Sequence, residues 1–139
     1  MEPPKQKTRG YRNNNPLNIE RGQRWQGLAI NQTDPRFCQF TSMLNGLRAA
    51  FLLIRNYMRR YPINTIAGII NRWAPSTEND TAEYIRVVCQ RSNIAPDTPL
   101  RFNDRRSIVA IVAAMAWVES AAEFETDLLN KAYELALKA

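Results

Sequence analysis

The stretch from Ser107 to Val118, Ser-Ile-Val-Ala-Ile-Val-Ala-Ala-Met-Ala-Trp-Val, is long enough for a helix and contains no charged residue; Glu119 and Ser120 follow it directly. A helix that is apolar on every side has no face to offer to water, so it belongs inside a core, enclosed by other elements. A domain organised around such a segment is mainly helical. A carboxylate carried on its last turn would sit at the rim of the core, part desolvated and beside the negative end of the helix. That setting suits a general acid that protonates a glycosidic oxygen. The plainer alternative is a glutamate that simply ends a core helix in water.

At 139 residues the chain has room for one domain with a single core, read as residues 9–139 behind a polar tail at 1–8. It contains no His, which excludes nucleophile–His catalysis, and only Cys38 and Cys89, which argues against a zinc centre. Cys89 falls in an apolar helical pattern and reads as buried and reduced. Whether it pairs with Cys38 is not decidable from spacing. No metal and no cofactor is called for; chemistry must rest on carboxylates, Tyr, Lys or backbone dipoles. The net charge of +6 and pI of about 9.7 suit a polyanionic partner, whether nucleic acid, anionic membrane or cell-wall polymer. No apolar stretch reaches membrane-spanning length. The first residues, Met1-Glu-Pro-Pro-Lys-Gln-Lys-Thr-Arg-Gly10, carry no apolar signal region, so a conventional cleaved leader is not expected.

From Tyr11 to Phe40 the chain is rich in Asn, Gln, Gly and Arg. Short strands separated by turns are expected at 17–19, 28–30 and 36–40, forming a small N-terminal β-hairpin region. Helical patterning begins at Thr41 or Ser42, where Leu44, Leu47, Phe51, Ile54 and Met58 share a face and Pro62 ends the run. Arg48, Arg55 and Arg59 fall on its other side. A second helix is predicted from Thr65 to Trp73, capped by Asn64 and stopped by Ala74-Pro75. A third opens at Asp80 or Thr81 and fades near Ser92. Asp104 caps the apolar helix, and Thr126 or Asp127 starts a last amphipathic one.

The segment Arg9-Gly-Tyr-Arg-Asn-Asn-Asn-Pro-Leu-Asn-Ile19 is the second unusual feature. Its amides offer donors and acceptors together, which suits hydroxyl- and acetamido-rich sugars. Equally, consecutive Asn before Pro favour tight turns in which the side chains satisfy local backbone.

Taken together, Arg9 to Ile19, Asp34-Pro-Arg-Phe37 with Phe40, Gly46-Leu-Arg-Ala49 and, most specifically, Ile70-Asn-Arg-Trp-Ala-Pro75 followed by Glu78-Asn-Asp-Thr81 and Tyr84-Ile85 resemble phage virion-associated lysozyme-like proteins. The resemblance runs from about Arg9 to Pro99. It implies a cell-wall-degrading module of the lysozyme superfamily, carried by a phage or prophage particle. A broader similarity links Val118-Glu-Ser120, Asn13-Asn-Asn-Pro16 and Tyr84 to lytic transglycosylases and flagellar-type glucosaminidases. There a buried helix ends in the catalytic Glu, an Asn-rich segment follows, and a later helix supplies a Tyr. The Glu helix comes last in this chain, which implies a circularly permuted order.

What the resemblance implies is cleavage of the glycan strands of peptidoglycan. Glu119 would protonate the bridging oxygen. In a hydrolase a second carboxylate would activate water, with Asp34 first in line and Glu20 behind it; in a transglycosylase none is obligatory. Asn14, Asn15, Asn18, Trp25, Tyr84 and Ser120 would bind substrate, with Trp25, on a polar loop, stacking on a sugar. Trp73 and Trp117 read as core, and Glu78 and Asn79 as capping residues for the third helix. Expected partners are peptidoglycan strands and other particle proteins, in a virion or at the bacterial envelope, the protein being cytoplasmic until release or assembly. Phage relatives carry His-Glu-Asn-Gly where this chain has Trp117-Val-Glu-Ser120. The alternative is therefore a structural or cargo component that keeps the scaffold without the activity. Nucleic-acid binding by the Arg-bearing helix of residues 48–60 ranks last, because no recognition signature accompanies it.

Overall fold

The computed structural model describes residues 8–139. The architecture is mainly α. A single turn, α1 (Arg9–Arg12), is followed by α2 (Met43–Arg60), α3 (Ile66–Trp73), α4 (Thr81–Ser92), α5 (Arg105–Ser120) and α6 (Thr126–Lys138). Residues 1–7 of the expected tail lie outside the described part. Thr8, read with them, instead caps α1, its hydroxyl accepting from the Tyr11 N–H at 3.4 Å.

The helix starts follow from local chemistry. The side chains of Ser42, Thr65, Asp80 and Asp104 each accept an N–H of the first turn of α2, α3, α4 and α5, satisfying donors that a helix leaves unpaired. Thr65 rather than Asn64 caps α3.

The expected β-hairpin is not formed. Among the described residues there is no sheet, only isolated antiparallel bridges between Glu20 and Phe37 and between Leu28 and Phe40. The reason lies in the amides. Asn14 and Asn18 adopt positive φ (53° and 54°), a left-handed conformation that Asn tolerates and a strand excludes. The fully buried Asn15 then does the work of a ladder. It donates to the Ile19 and Cys38 carbonyls at 3.0 and 2.9 Å and accepts the Ile19 N–H at 2.9 Å. Gln32 and Gln39 do the same further along, the Gln32 amide bonding both the N–H and the carbonyl of Gln39.

Helix α5 is the hub, packing against α4, α6, α1 and α2. None of residues 107–120 is exposed, and Ile108, Ile111, Val112, Met115 and Ala116 are shut off from solvent entirely. Each such large aliphatic side chain contributes roughly 1.5–3 kcal/mol. Helix α6 lies along α2, where the Tyr133 ring meets Phe51 edge-on at 5.6 Å. Arg55, expected on the solvent side of α2, reaches across and donates to the carbonyls of Ala136 and Ala139 at 2.9 Å, closing the end of α6. The N-terminal loop sits hard against the bundle. A Cβ on Gly46 would lie 1.7 Å from the Asn14 carbonyl oxygen, and one on Gly10 would lie 2.0 Å from Ser120 Oγ. Glycine at both positions is what lets the loop backbone reach the ends of α2 and α5. Cys38 is buried, Cys89 half-buried, and the two do not pair.

Candidate functional site

Three segments converge on the end of α5. The half-buried Glu119 carboxylate accepts a hydrogen bond on Oε2 from the Trp73 indole N–H at 2.9 Å and another on the same oxygen from the Tyr84 hydroxyl at 2.9 Å. Trp73 is the last residue of α3, and Tyr84 lies in the first turns of α4. From the N-terminal loop, Asn18 Nδ2 approaches Oε1 at 3.4 Å and the Glu119 carbonyl at 3.2 Å. Oε2 is thus engaged by two good donors, while Oε1 has only a long contact. Oε1 is the oxygen left with capacity to carry or receive a proton.

The donors cannot easily trade roles. Tyr84 is only 7% exposed, and burial, followed by the adjacent Glu119 charge, holds its hydroxyl well above the ordinary phenol range. It therefore stays a donor across the physiological range. Tyr84 packs beneath the carboxylate and does not line the cleft, so its contribution is to hold Glu119 rather than to touch a ligand.

Glu119 opens into a cleft of about 740 Å³, within the range of small-molecule sites. One wall is the N-terminal loop, with Asn18, Glu20, Arg21, Gln23, Trp25, Arg36 and Phe37. The other is formed by Leu53 and Tyr57 of α2, Trp73 and Ala74 at the end of α3, and Glu78 and Asn79 of the α3–α4 loop. Aromatic faces beside amides and charged groups are suited to a ligand with apolar faces and polar edges.

Of the residues expected in the site, Glu119, Asn18 and Trp25 are in the cleft. Asp34 is not. Its carboxylate is gripped by Arg9 through two bonds of 2.7 Å, by the Asn13 amide at 2.9 Å, and by the Arg36 and Phe37 backbone N–H groups at 2.9 Å. The Arg9 bonds, then the Phe37 N–H, hold this carboxyl far below the usual carboxylate range. A carboxylate so saturated is a clamp for its turn and has no lone pair to spare for water. Glu20 does line the cleft, but it is exposed and takes two bonds from Arg36 at 2.8 and 3.0 Å.

Asn14 and Asn15 also leave the site. Asn14 Nδ2 donates to the Phe40 carbonyl at 3.0 Å, and Asn15 is spent on the loop backbone as described. Ser120 is buried, and its hydroxyl donates to the Pro16 carbonyl at 2.8 Å. Together with the Asn18–Glu119 carbonyl bond this ties the loop to α5 at two points, which is what places Asn18 over the carboxylate. Trp73, read as core, is the residue the sequence reading missed. The available signal was its place at a helix end before Ala74-Pro75, in the most distinctive motif of the chain.

Among the described residues, no group of His, Cys, Asp and Glu forms a metal-binding cluster, and no helix is long and apolar enough to cross a membrane. No protein-family model matches the chain. It is 37% identical over 131 residues to "Protein P5" of Pseudoalteromonas phage PM2, an alignment that covers 91% of this chain and 80% of that protein. The chain belongs to the family of this bacteriophage protein.

Proposed function

We propose that this protein cleaves the glycan strands of peptidoglycan, as a muramidase or lytic transglycosylase associated with a phage or prophage particle, on a lysozyme-like scaffold of permuted element order. The observation that carries the reading is the Glu119 carboxylate, fixed through Oε2 by Trp73 and Tyr84 at the base of a saccharide-sized cleft. A general acid must be held within reach of the leaving oxygen with one oxygen left for the proton. Oε1 meets that need. The likeness to a phage protein agrees with a particle-borne role, and the net charge of +6 agrees with an anionic wall. Trp25 stacks on a sugar ring, and Asn18 orients the acid. Asp34, Asn14, Asn15 and Ser120 have no part in substrate contact.

Purified wild type and Glu119→Gln are compared for release of soluble muropeptides from peptidoglycan. The reading expects release by the wild type and about a hundredfold less or worse from the variant, the usual worth of a positioned acid. Equal release from both removes Glu119 from the mechanism. No release from either leaves a particle component with the scaffold alone.

A further inference from the structure

Resting on the glycan-cleaving reading, we infer that Glu78 is the second catalytic carboxylate, the base that activates water in the cleft it shares with Glu119. Three glutamates line this cleft, and their surroundings separate them. Glu119 is held by three donors. Glu20 is bound by the Arg36 guanidinium through two bonds. Glu78 makes no ion pair and no side-chain hydrogen bond among the described residues, so both its oxygens remain able to accept a proton.

Its expected structural employment is already filled. Asp80 caps α4, its carboxylate accepting the Glu83 N–H at 3.2 Å, and the Asn79 amide closes the turn onto the Pro75 carbonyl at 3.2 Å. The segment that carries Glu78 is nonetheless held in place. The buried Thr81 hydroxyl donates to the Ala74 carbonyl, joining the two ends of the exposed run 75–80, and the Glu78 N–H bonds the Pro75 carbonyl at 3.1 Å. This loop leads directly from Trp73 towards Tyr84, the two residues that fix Glu119. The acid and the base are therefore set by the same pair of helices.

In the step assigned here, a water oxygen bonds to the anomeric carbon as that carbon's bond to the bridging oxygen breaks. Glu78 takes a proton from the water, and Glu119 gives its proton to the departing oxygen. The products are a new reducing end and a free hydroxyl, and the reaction is a hydrolysis.

The experiment compares wild type, Glu78→Ala, Glu78→Gln and Glu119→Gln on peptidoglycan, with product masses determined and thermal unfolding followed for each. Glu78 is exposed, so both of its variants are expected to unfold with the wild type. Reducing-end products are expected from the wild type, with a loss of about a hundredfold or more in Glu78→Ala and Glu78→Gln. Azide should restore turnover to Glu78→Ala and give a glycosyl azide, but should not restore Glu119→Gln. Reducing-end release by Glu78→Ala within about threefold of wild type overturns the assignment and leaves the glycan-cleaving reading intact. So do 1,6-anhydro products from the wild type, which need no water, and a loss that azide does not repair. A wild type without activity overturns both.

Discussion

Replacing Tyr84 by Phe removes one oxygen atom and keeps the ring that packs under the site. The hydroxyl lost is a donor to Glu119 Oε2 at 2.9 Å from a side chain only 7% exposed. A hydrogen bond to an ionised partner contributes about 1.5–3 kcal/mol when the partner is buried. Glu119 is only half-buried, and Trp73 continues to serve the same oxygen. The expected loss is therefore at the low end, about 1–2 kcal/mol, or a fall of roughly 3–7 °C in Tm for a domain of this size. The assay is urea unfolding of wild type, Tyr84→Phe, Glu119→Gln and the double variant, so that the coupling between the two side chains is isolated from packing changes. A coupling of about 1–2 kcal/mol is expected. Tyr133→Phe provides the contrast, since that hydroxyl donates to the neutral Phe102 carbonyl at 2.7 Å and its loss should show no coupling to Glu119→Gln. A Tyr84–Glu119 coupling below about 0.3 kcal/mol would refute the claim that the phenol holds the carboxylate.

Three further outcomes are expected. Asp34 has its carboxyl depressed in the fold by Arg9 first, so its contribution is present above the unfolded value of about 3.9 and is lost as pH falls below it towards the depressed folded one; Asp34→Asn should lower the urea midpoint near neutrality and flatten its decline in acid. Gly46→Ala forces a Cβ to 1.7 Å from the Asn14 carbonyl and should cost about 3 kcal/mol by displacing the loop, read by denaturant unfolding. Ala121 ends α5 at φ 50°, so Ala121→Gly should stabilise by about 0.5–1 kcal/mol as left-handed strain is relieved against added chain entropy, visible as a raised Tm.

Asp34 and Trp73 show where reading along the chain reaches its limit. Asp34 precedes Pro35 in a polar turn, and from spacing alone a solvated carboxylate and a catalytic one look alike. Only the arrival of Arg9, far away in sequence, makes it a clamp. Trp73 falls on the apolar face of a short helix, so periodicity assigns its ring to the core, whereas the structure leaves it half-buried in the cleft wall, and periodicity says nothing of its N–H. That donor finds Glu119 only once α3 and α5 are packed. The hairpin expected near the N-terminus failed for a related reason. Short apolar pieces between turn residues suggest strands, but Asn15, Gln32 and Gln39 capture the backbone groups that a ladder would have used.

What the amino-acid order determined by itself was the set of five helices α2 to α6, because side-chain caps such as Ser42, Asp80 and Asp104 and the spacing of apolar residues act over a few positions. It also determined that the helix ending in Glu119 must be central, since a segment without a polar face has nowhere else to go. Tertiary structure alone decided which groups meet that carboxylate and which are consumed by the scaffold. Trp73, Tyr84 and Asn18 lie far from Glu119 along the chain, and a hydrogen bond of 2.9 Å between such residues depends on how whole helices pack, which no local pattern encodes.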